Sequence, residues 1–128
     1  GQAAYDDAFQ YAQERHQFGK PISAHQSIRH MLADMATELF ASRLMVYHCA
    51  QLAQDEQPCS VETSMTKLYV AEAATRVALN AQKILGAYGY ALEYDVQRYL
   101  RDVLLYPLAG GSSAIQRNNI MNRMGLAK

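Results

Sequence analysis

The sequence has no tryptophan, only three phenylalanines and three prolines, and two cysteines in 128 residues. Two cysteines, Cys49 and Cys59, cannot make the disulfide framework on which small secreted domains rely, so both read as free thiols in a reducing, intracellular setting. Excess charge of either sign is also missing: 12 basic side chains balance 12 acidic ones. With no dense Lys/Arg run, the electrostatic footprint of nonspecific nucleic-acid or acidic-membrane binding is gone. The longest apolar stretches are a few residues, far short of the roughly 20 that span a bilayer. Gly1 to Asp7 lack the charged and apolar regions of a signal peptide. What the chain does contain is core material. Half of its residues are hydrophobic and 19% are charged, which excludes intrinsic disorder and a collagen-like fibre. A chain of this length suits one domain with one core, burying roughly two thirds of its unfolded surface.

The apolar pattern is helical from the start. Ala4, Tyr5, Ala8, Phe9 and Ala12 recur at spacings of three and four with no capping residue before them, which reads as a helix cut mid-course, in a chain taken from something longer. Phe18-Gly19-Lys20-Pro21 turns the chain, and Ser23 is the expected cap of a second helix. Ile28, Met31, Leu32, Met35, Leu39, Ser42, Val46, Cys49 and Ala53 form one stripe over about seven turns, roughly 45 Å. Asp55-Glu56-Gln57-Pro58 ends that helix and Ser60 opens a third, whose stripe is Val70, Ala74, Val77, Ala78, Ala81, Ile84 and Leu85. Gly86 and Gly89 stop it where a left-handed cap is needed, and Ala87 to Tyr94 read as a tyrosine-rich loop. A short helix from Asp95 carries Val96, Leu100, Val103 and Leu104 up to Pro107. Gly110-Gly111-Ser112-Ser113 opens the last, with Ile115, Ile120 and Met124, which Gly125 terminates. No strand-period alternation is visible. Long helices joined by short connections pack as antiparallel neighbours, so the fold class is all-α: an up-down antiparallel four-helix bundle with short additional helices.

The chemistry is sparser. His16, His25, His30 and His48 lack the spacing of zinc ligands, and neither cysteine sits at an obvious helix N-terminus that would activate it. No metal site is expected. The glycine-serine entry at 110–113 can receive an anion on free amides at the positive end of a helix, or serve only as a turn and cap. Arg15, with Gln17 and Phe18 beside the Gly-Pro turn, can offer a nucleotide a cationic fork and an aromatic face; a surface arginine over a buried phenylalanine explains them equally. Tyr88, Tyr90 and Tyr94 can stack on a planar ligand or pack a helix junction. Arg101-Asp102 reads as an ion pair.

Together, Arg15-His16-Gln17-Phe18-Gly19-Lys20-Pro21-Ile22, then His25-Gln26, then Ile84-Leu85-Gly86-Ala87-Tyr88-Gly89-Tyr90 with Glu93-Tyr94, then Arg98 and Arg101-Asp102, and finally Gly111-Ser112-Ser113-Ala114-Ile115-Gln116-Arg117 closely resemble the acyl-CoA dehydrogenase family. The likeness runs along essentially the whole chain and corresponds to the C-terminal helical domain of that family. It implies that residues 1–128 are a single helical-bundle domain, the C-terminal fragment of a three-domain flavoenzyme whose N-terminal helical and middle β domains lie elsewhere. It implies FAD as cofactor, an acyl-CoA thioester as substrate, an electron-transfer flavoprotein as electron acceptor, and a homo-oligomer, dimer or tetramer, in the cytoplasm or, in a eukaryote, the mitochondrial matrix. The family removes two hydrogens across the α,β carbon bond: a carboxylate takes the α proton and the β hydrogen leaves as hydride to the flavin.

Carried over by motif, Arg15, Gln17, Phe18 and Gln26 match positions near the diphosphate and adenosine of a neighbouring subunit's FAD. Lys83, Gly86 and Ala87 match a segment usually written Gln-Ile-x-Gly-Gly, with Lys83 replacing the Gln and Ala87 the second Gly. Many members read Tyr-Glu-Gly-Thr-Ser-Glu-Ile-Gln where this chain has Ala109-Gly110-Gly111-Ser112-Ser113-Ala114-Ile115-Gln116. Gly110 thus stands where the catalytic glutamate would, and glycine accepts no proton. Branches resembling the long-chain and isovaleryl enzymes place the glutamate on the preceding helix, at a position upstream of Gly1. Ser112 keeps a hydroxyl on the adenine side. The isolated segment is expected to be inactive and to self-associate through its long helices; the alternative is a noncatalytic helical assembly module related to the family.

Overall fold

A computed structural model describes residues 1–126. Five α-helices, α1 (Gln2–Glu14), α2 (Gln26–Gln54), α3 (Ser60–Leu85), α4 (Val96–Val103) and α5 (Ser113–Arg123), account for most of them. The bundle is built on α3, which packs against every other helix. Directions follow from the cross-helix contacts. Cys49 Sγ lies 3.0 Å from Thr66 Oγ1, and further back along α2, Glu38 pairs with Arg76, so α2 and α3 are antiparallel. Arg117 bonds Glu72 while the later Arg123 reaches Ser60 and Ser64, which makes α5 antiparallel to α3 as well. The expected up-down architecture is the observed one.

Small side chains set the closeness of the central packing. Ala4, Ala8 and Ala12 form a fully buried stripe on α1, facing Val77, Ala78 and Ala81 of α3. Met35 of α2 and Val96 of α4 complete the largest fully buried side chains, with Val77. Alanine carries no rotamer entropy into the core, so these helices meet at little conformational cost. On α2 the expected stripe is covered as far as Ser42. Beyond it Val46 and Ala53 are exposed and Cys49 is half-buried, and Phe40, Leu44 and Tyr47 add apolar surface to the same half of the helix.

Several local expectations need correction. Ser23 caps nothing: Ile22–Ala24 form a 3-10 turn, and α2 starts at Gln26 with His25 as its unassisted N-cap. Buried Ile22 anchors that turn, its N–H donating to the Arg15 carbonyl, and the His25 N–H returns to the Ile22 carbonyl, so the backbone is satisfied without the hydroxyl. Helix α3 does open at Ser60, with Cys59 as its N-cap. A two-residue antiparallel ladder, β1 (His16–Gln17) with β2 (Lys20–Pro21), is too short to leave an alternating pattern. Its turn puts Phe18 at φ 54 and Gly19 at φ 78, the paired positive angles of a tight hairpin. The segment read as loop opens with a 3-10 turn, Gly86–Tyr90. Gly86 has the expected positive φ of 61, whereas Gly89 has none; it is needed because a Cβ there would lie 2.9 Å from the Gln82 carbonyl oxygen.

At the other end, Ile120 is buried as expected, but Ile115 and Met124 are exposed and Gln116 is the second buried side chain of α5. Arg101 and Asp102 form no ion pair among the described residues. Adjacent helical residues point about 100° apart, and the pair that forms is Arg98 with Asp95 across one turn. Arg117 holds the Glu72 carboxyl below the ordinary carboxylate range, chiefly through its hydrogen bond.

Candidate functional site

The end of α1, the hairpin, the 3-10 turn before α2 and the C-terminal end of α3 converge on an open crevice of about 510 Å³. Five of the eight residues singled out from the sequence line it: Arg15, Gln17, Phe18, Gly86 and Ala87. Helix α1 ends at Glu14, and Arg15 leaves it in extended conformation, which carries the guanidinium into the crevice. The phenylalanine is not buried beneath the arginine. Phe18 stands at the hairpin tip with 90% of its surface exposed, in a left-handed backbone conformation that a bulky side chain rarely adopts. The ring therefore adds no buried surface to the core and is left open to contact from outside. His25 meets that ring edge-on at 5.9 Å, and one of its ring nitrogens lies 3.3 Å from the Gln17 carbonyl, so the hairpin is tied to the start of α2.

Opposite, Arg15 lies over the Tyr88 ring with its guanidinium carbon 5.7 Å from the ring centre. Tyr11 and Tyr94 pack around Tyr88, and burial pushes the Tyr11 phenol up, against the opposing pull of Arg15. Above Gly86 the backbone is open, since a Cβ built there would meet nothing within 4 Å. The wall therefore offers a cation, a flat aromatic surface, a side-chain amide and approachable backbone. That set suits an anion joined to a planar ring system.

Three singled-out residues lie outside this crevice. Gln26 opens α2 beside a separate hollow that it lines with Arg29 and His30. Lys83 is exposed on α3, its ammonium 3.5 Å from the Asn80 side-chain oxygen. Ser112 caps α5, its hydroxyl accepting from the Ile115 N–H at 3.4 Å. The cap expected of the glycine-serine entry is formed. The loop before it is fixed from within: Lys67 Nζ donates to the carbonyls of Tyr106 at 2.7 Å and Gly111 at 2.6 Å, and Gln116 Nε2 donates to those of Gly110 and Gly111, each at 3.3 Å. The sequence reading misses Tyr11, for which the available signal is its place four residues before Arg15, in the last turns of α1. Lys67 carried no signal at all, because its partners are backbone carbonyls about 40 residues away.

A second, mostly apolar hollow of about 370 Å³ lies between the open half of α2, α3 and the segment after α4, lined by Val46, Cys49, Val70 and Tyr106. Among the described residues no three His, Cys, Asp or Glu side chains converge as metal ligands, and no helix is long and apolar enough to cross a membrane.

The comparisons with known proteins agree with one another. The family description "Acyl-CoA dehydrogenase, C-terminal domain" matches residues 1–125. An acyl-CoA dehydrogenase of Bacillus subtilis is 45% identical over 116 residues, covering 91% of this chain and 31% of the relative. Subunit CarC of the caffeyl-CoA reductase-Etf complex of Acetobacterium woodii is 42% identical over the same length, covering 91% and 31%. The solved structure of butyryl-CoA dehydrogenase from Megasphaera elsdenii superposes with a TM-score of 0.94 at 36% identity, covering 96% of this chain and 32% of that one. The chain thus spans about a third of the length of the relatives it matches. By sequence and by fold, it belongs to the acyl-CoA dehydrogenase family and corresponds to its C-terminal helical domain.

Proposed function

We propose that this chain is the C-terminal domain of a three-domain FAD-dependent acyl-CoA dehydrogenase and that its crevice contacts the FAD of a neighbouring copy. The observation that carries the reading is the crevice itself. Arg15, which makes no ion pair among the described residues, and Phe18, displayed on a strained turn, share it with open backbone at Gly86. These residues fit a nucleotide cofactor: the guanidinium, seated over Tyr88, matches the diphosphate, and Phe18 gives a flat surface to a ring system. FAD, when bound, supplies the hydride acceptor for α,β-dehydrogenation of an acyl-CoA thioester. What this domain adds is position. Phe18 and Gln17 project from a hairpin braced by His25, so they meet the cofactor with little left to order. Ala87 and Lys83 stand where the family pattern has Gly and Gln; Ala87 narrows the backbone approach, and exposed Lys83 can turn from Asn80 to a phosphate.

The proton-accepting carboxylate is not at the usual place, because Gly110 occupies it. The reading therefore puts the base on the first helix, upstream of Gly1. Gln26 and Ser112, apart from the crevice in one copy, complete cofactor sites only if copies assemble. The exposed apolar half of α2 supports such a homo-oligomer, dimer or tetramer. An electron-transfer flavoprotein as acceptor rests on the relative named as part of an Etf complex. A soluble compartment, cytoplasm or mitochondrial matrix, suits such a partner. Gly110 also favours a second reading, a noncatalytic assembly module that keeps the flavin-facing residues as structure.

One experiment separates them. The complete protein, purified, is expected to be yellow and to bleach when an acyl-CoA is added anaerobically, and replacing a glutamate upstream of Gly1 by glutamine abolishes the bleaching. A colourless protein, or a yellow one inert to every acyl-CoA, rules out the enzyme. Sedimentation showing monomer alone at tens of micromolar argues against the oligomer.

A further inference from the structure

Among the described residues Arg15 is the only arginine or lysine that lines the crevice, which it shares with the imidazole of His25. Among the described residues the Arg15 side chain makes no ion pair. Its neighbour is a ring: the guanidinium sits over Tyr88 at 5.7 Å. That ring is itself held. Tyr94 packs against it at 5.5 Å and Tyr11 at 6.2 Å, and Tyr11 and Tyr94 meet edge-on at 6.3 Å. The three tyrosines come from α1, the turn after α3 and the segment before α4, so they form a fixed platform where those elements meet.

The choice of partner matters chemically. A long guanidinium side chain loses rotamer freedom when it closes on an anion, and a partner that orients it beforehand removes part of that loss. A carboxylate would orient it too, but would neutralise the charge and compete with the incoming phosphate. The face of a tyrosine attracts the cation through its quadrupole and leaves both the charge and the N–H donors available. We propose that Tyr88, backed by Tyr11 and Tyr94, is a positioning residue that holds Arg15 ready for the diphosphate of the cofactor. This rests on the crevice being an FAD site. The effect belongs to the ring and not to the phenol hydroxyl.

The test uses the complete flavoprotein, stripped of flavin and titrated with FAD, with thermal unfolding of each variant measured alongside. Arg15→Met is expected to weaken FAD binding at least about tenfold, as loss of a charge-assisted contact does. Tyr88→Leu and the polar Tyr88→Gln, two substitutions at a half-exposed position, weaken it about three- to tenfold, while Tyr88→Phe stays within about twofold of the parent. In an Arg15→Met background, Tyr88→Leu has no further effect, since nothing is left to position. Wild-type affinity in both Tyr88→Leu and Tyr88→Gln overturns the positioning role, as does a Tyr88→Phe variant as weak as they are. A loss in the double variant equal to the sum of the single losses makes Tyr88 merely structural and overturns it as well. If Arg15→Met itself binds FAD normally, the cofactor reading fails and the proposal falls with it; a weak Arg15→Met beside an unaffected Tyr88→Leu sinks the proposal alone.

Discussion

Replacing Lys67 by methionine removes one ammonium group and keeps nearly the same stem. In the native chain Nζ donates to the Tyr106 carbonyl at 2.7 Å and to the Gly111 carbonyl at 2.6 Å, bridging α3 to the loop that carries Gly110. A hydrogen bond from a charged donor contributes about 1.5–3 kcal/mol, so two at full value would give about 3–6. Both need discounting. The Gly111 carbonyl keeps the Gln116 amide at 3.3 Å, and Tyr106 is exposed enough for its carbonyl to turn to water. About 2 kcal/mol remains, which for a domain of this size lowers Tm by roughly 6–10 °C. Urea unfolding followed by circular dichroism measures it directly, with the midpoint falling and the slope m unchanged. Gln116→Leu costs more in the Lys67→Met background than alone, because the Gly111 carbonyl then loses its last side-chain donor. A Lys67→Met variant within about 0.5 kcal/mol of the parent, the range of ordinary surface substitutions, refutes the claim that this ammonium pins the loop.

Gly89→Ala is expected to cost about 1–3 kcal/mol, because its Cβ would press on the Gln82 carbonyl oxygen at 2.9 Å and on the Gln82 Cα at 3.1 Å. Gly19→Ala, with open space around it but φ at 78, costs only about 1–2 kcal/mol; both are read by thermal unfolding. Met35→Ala empties a fully buried site on α2 and should cost about 2–5 kcal/mol by the same measure. The Glu72 carboxyl is held below its ordinary value of 4.5, so its contribution is complete above that pH and disappears as pH falls through the lower folded value. Glu72→Gln therefore destabilises at pH 7 by no more than about 1 kcal/mol, the pair being partly exposed, and the gap to the parent closes in acid titrations. A gap that did not narrow as the pH falls below the ordinary value would mean the ion pair is not its source.

The helices and their order were legible because alanine and valine recur at helical spacing on α1 and α3, and because Gly86 interrupts that spacing where α3 ends; Pro107 marks only an outer limit, since α4 already ends at Val103. Boundaries were less so. Ser23 has the chemistry of a cap, but buried Ile22 takes the chain through a tighter turn first, which depends on a core formed by distant residues. At the crevice, Arg15, Gln17 and Phe18 were found because they are neighbours in sequence, and Gly86 and Ala87 because they interrupt a helix. The tyrosine platform was half visible: Tyr88 and Tyr94 stood out as aromatics, but the meeting with Tyr11 is a product of folding. That Arg15 rests on Tyr88 rather than on Phe18 also could not be read locally, since a positive φ at residue 18 turns the phenylalanine outward.

One consequence follows from α3 being the wall on which every other helix leans. Its middle turns, around Ala73 to Ala81, are covered on several sides, so their amides can exchange with solvent only when the whole domain comes apart. The 3-10 turn from Gly86 to Tyr90 continues from the end of that wall, and the rings of Tyr11 and Tyr94 hold Tyr88 in place there. The platform beneath the arginine is thus moored to the slowest-opening part of the molecule, so a substitution that weakens the middle of α3 is expected to unsettle the arginine's seat as well.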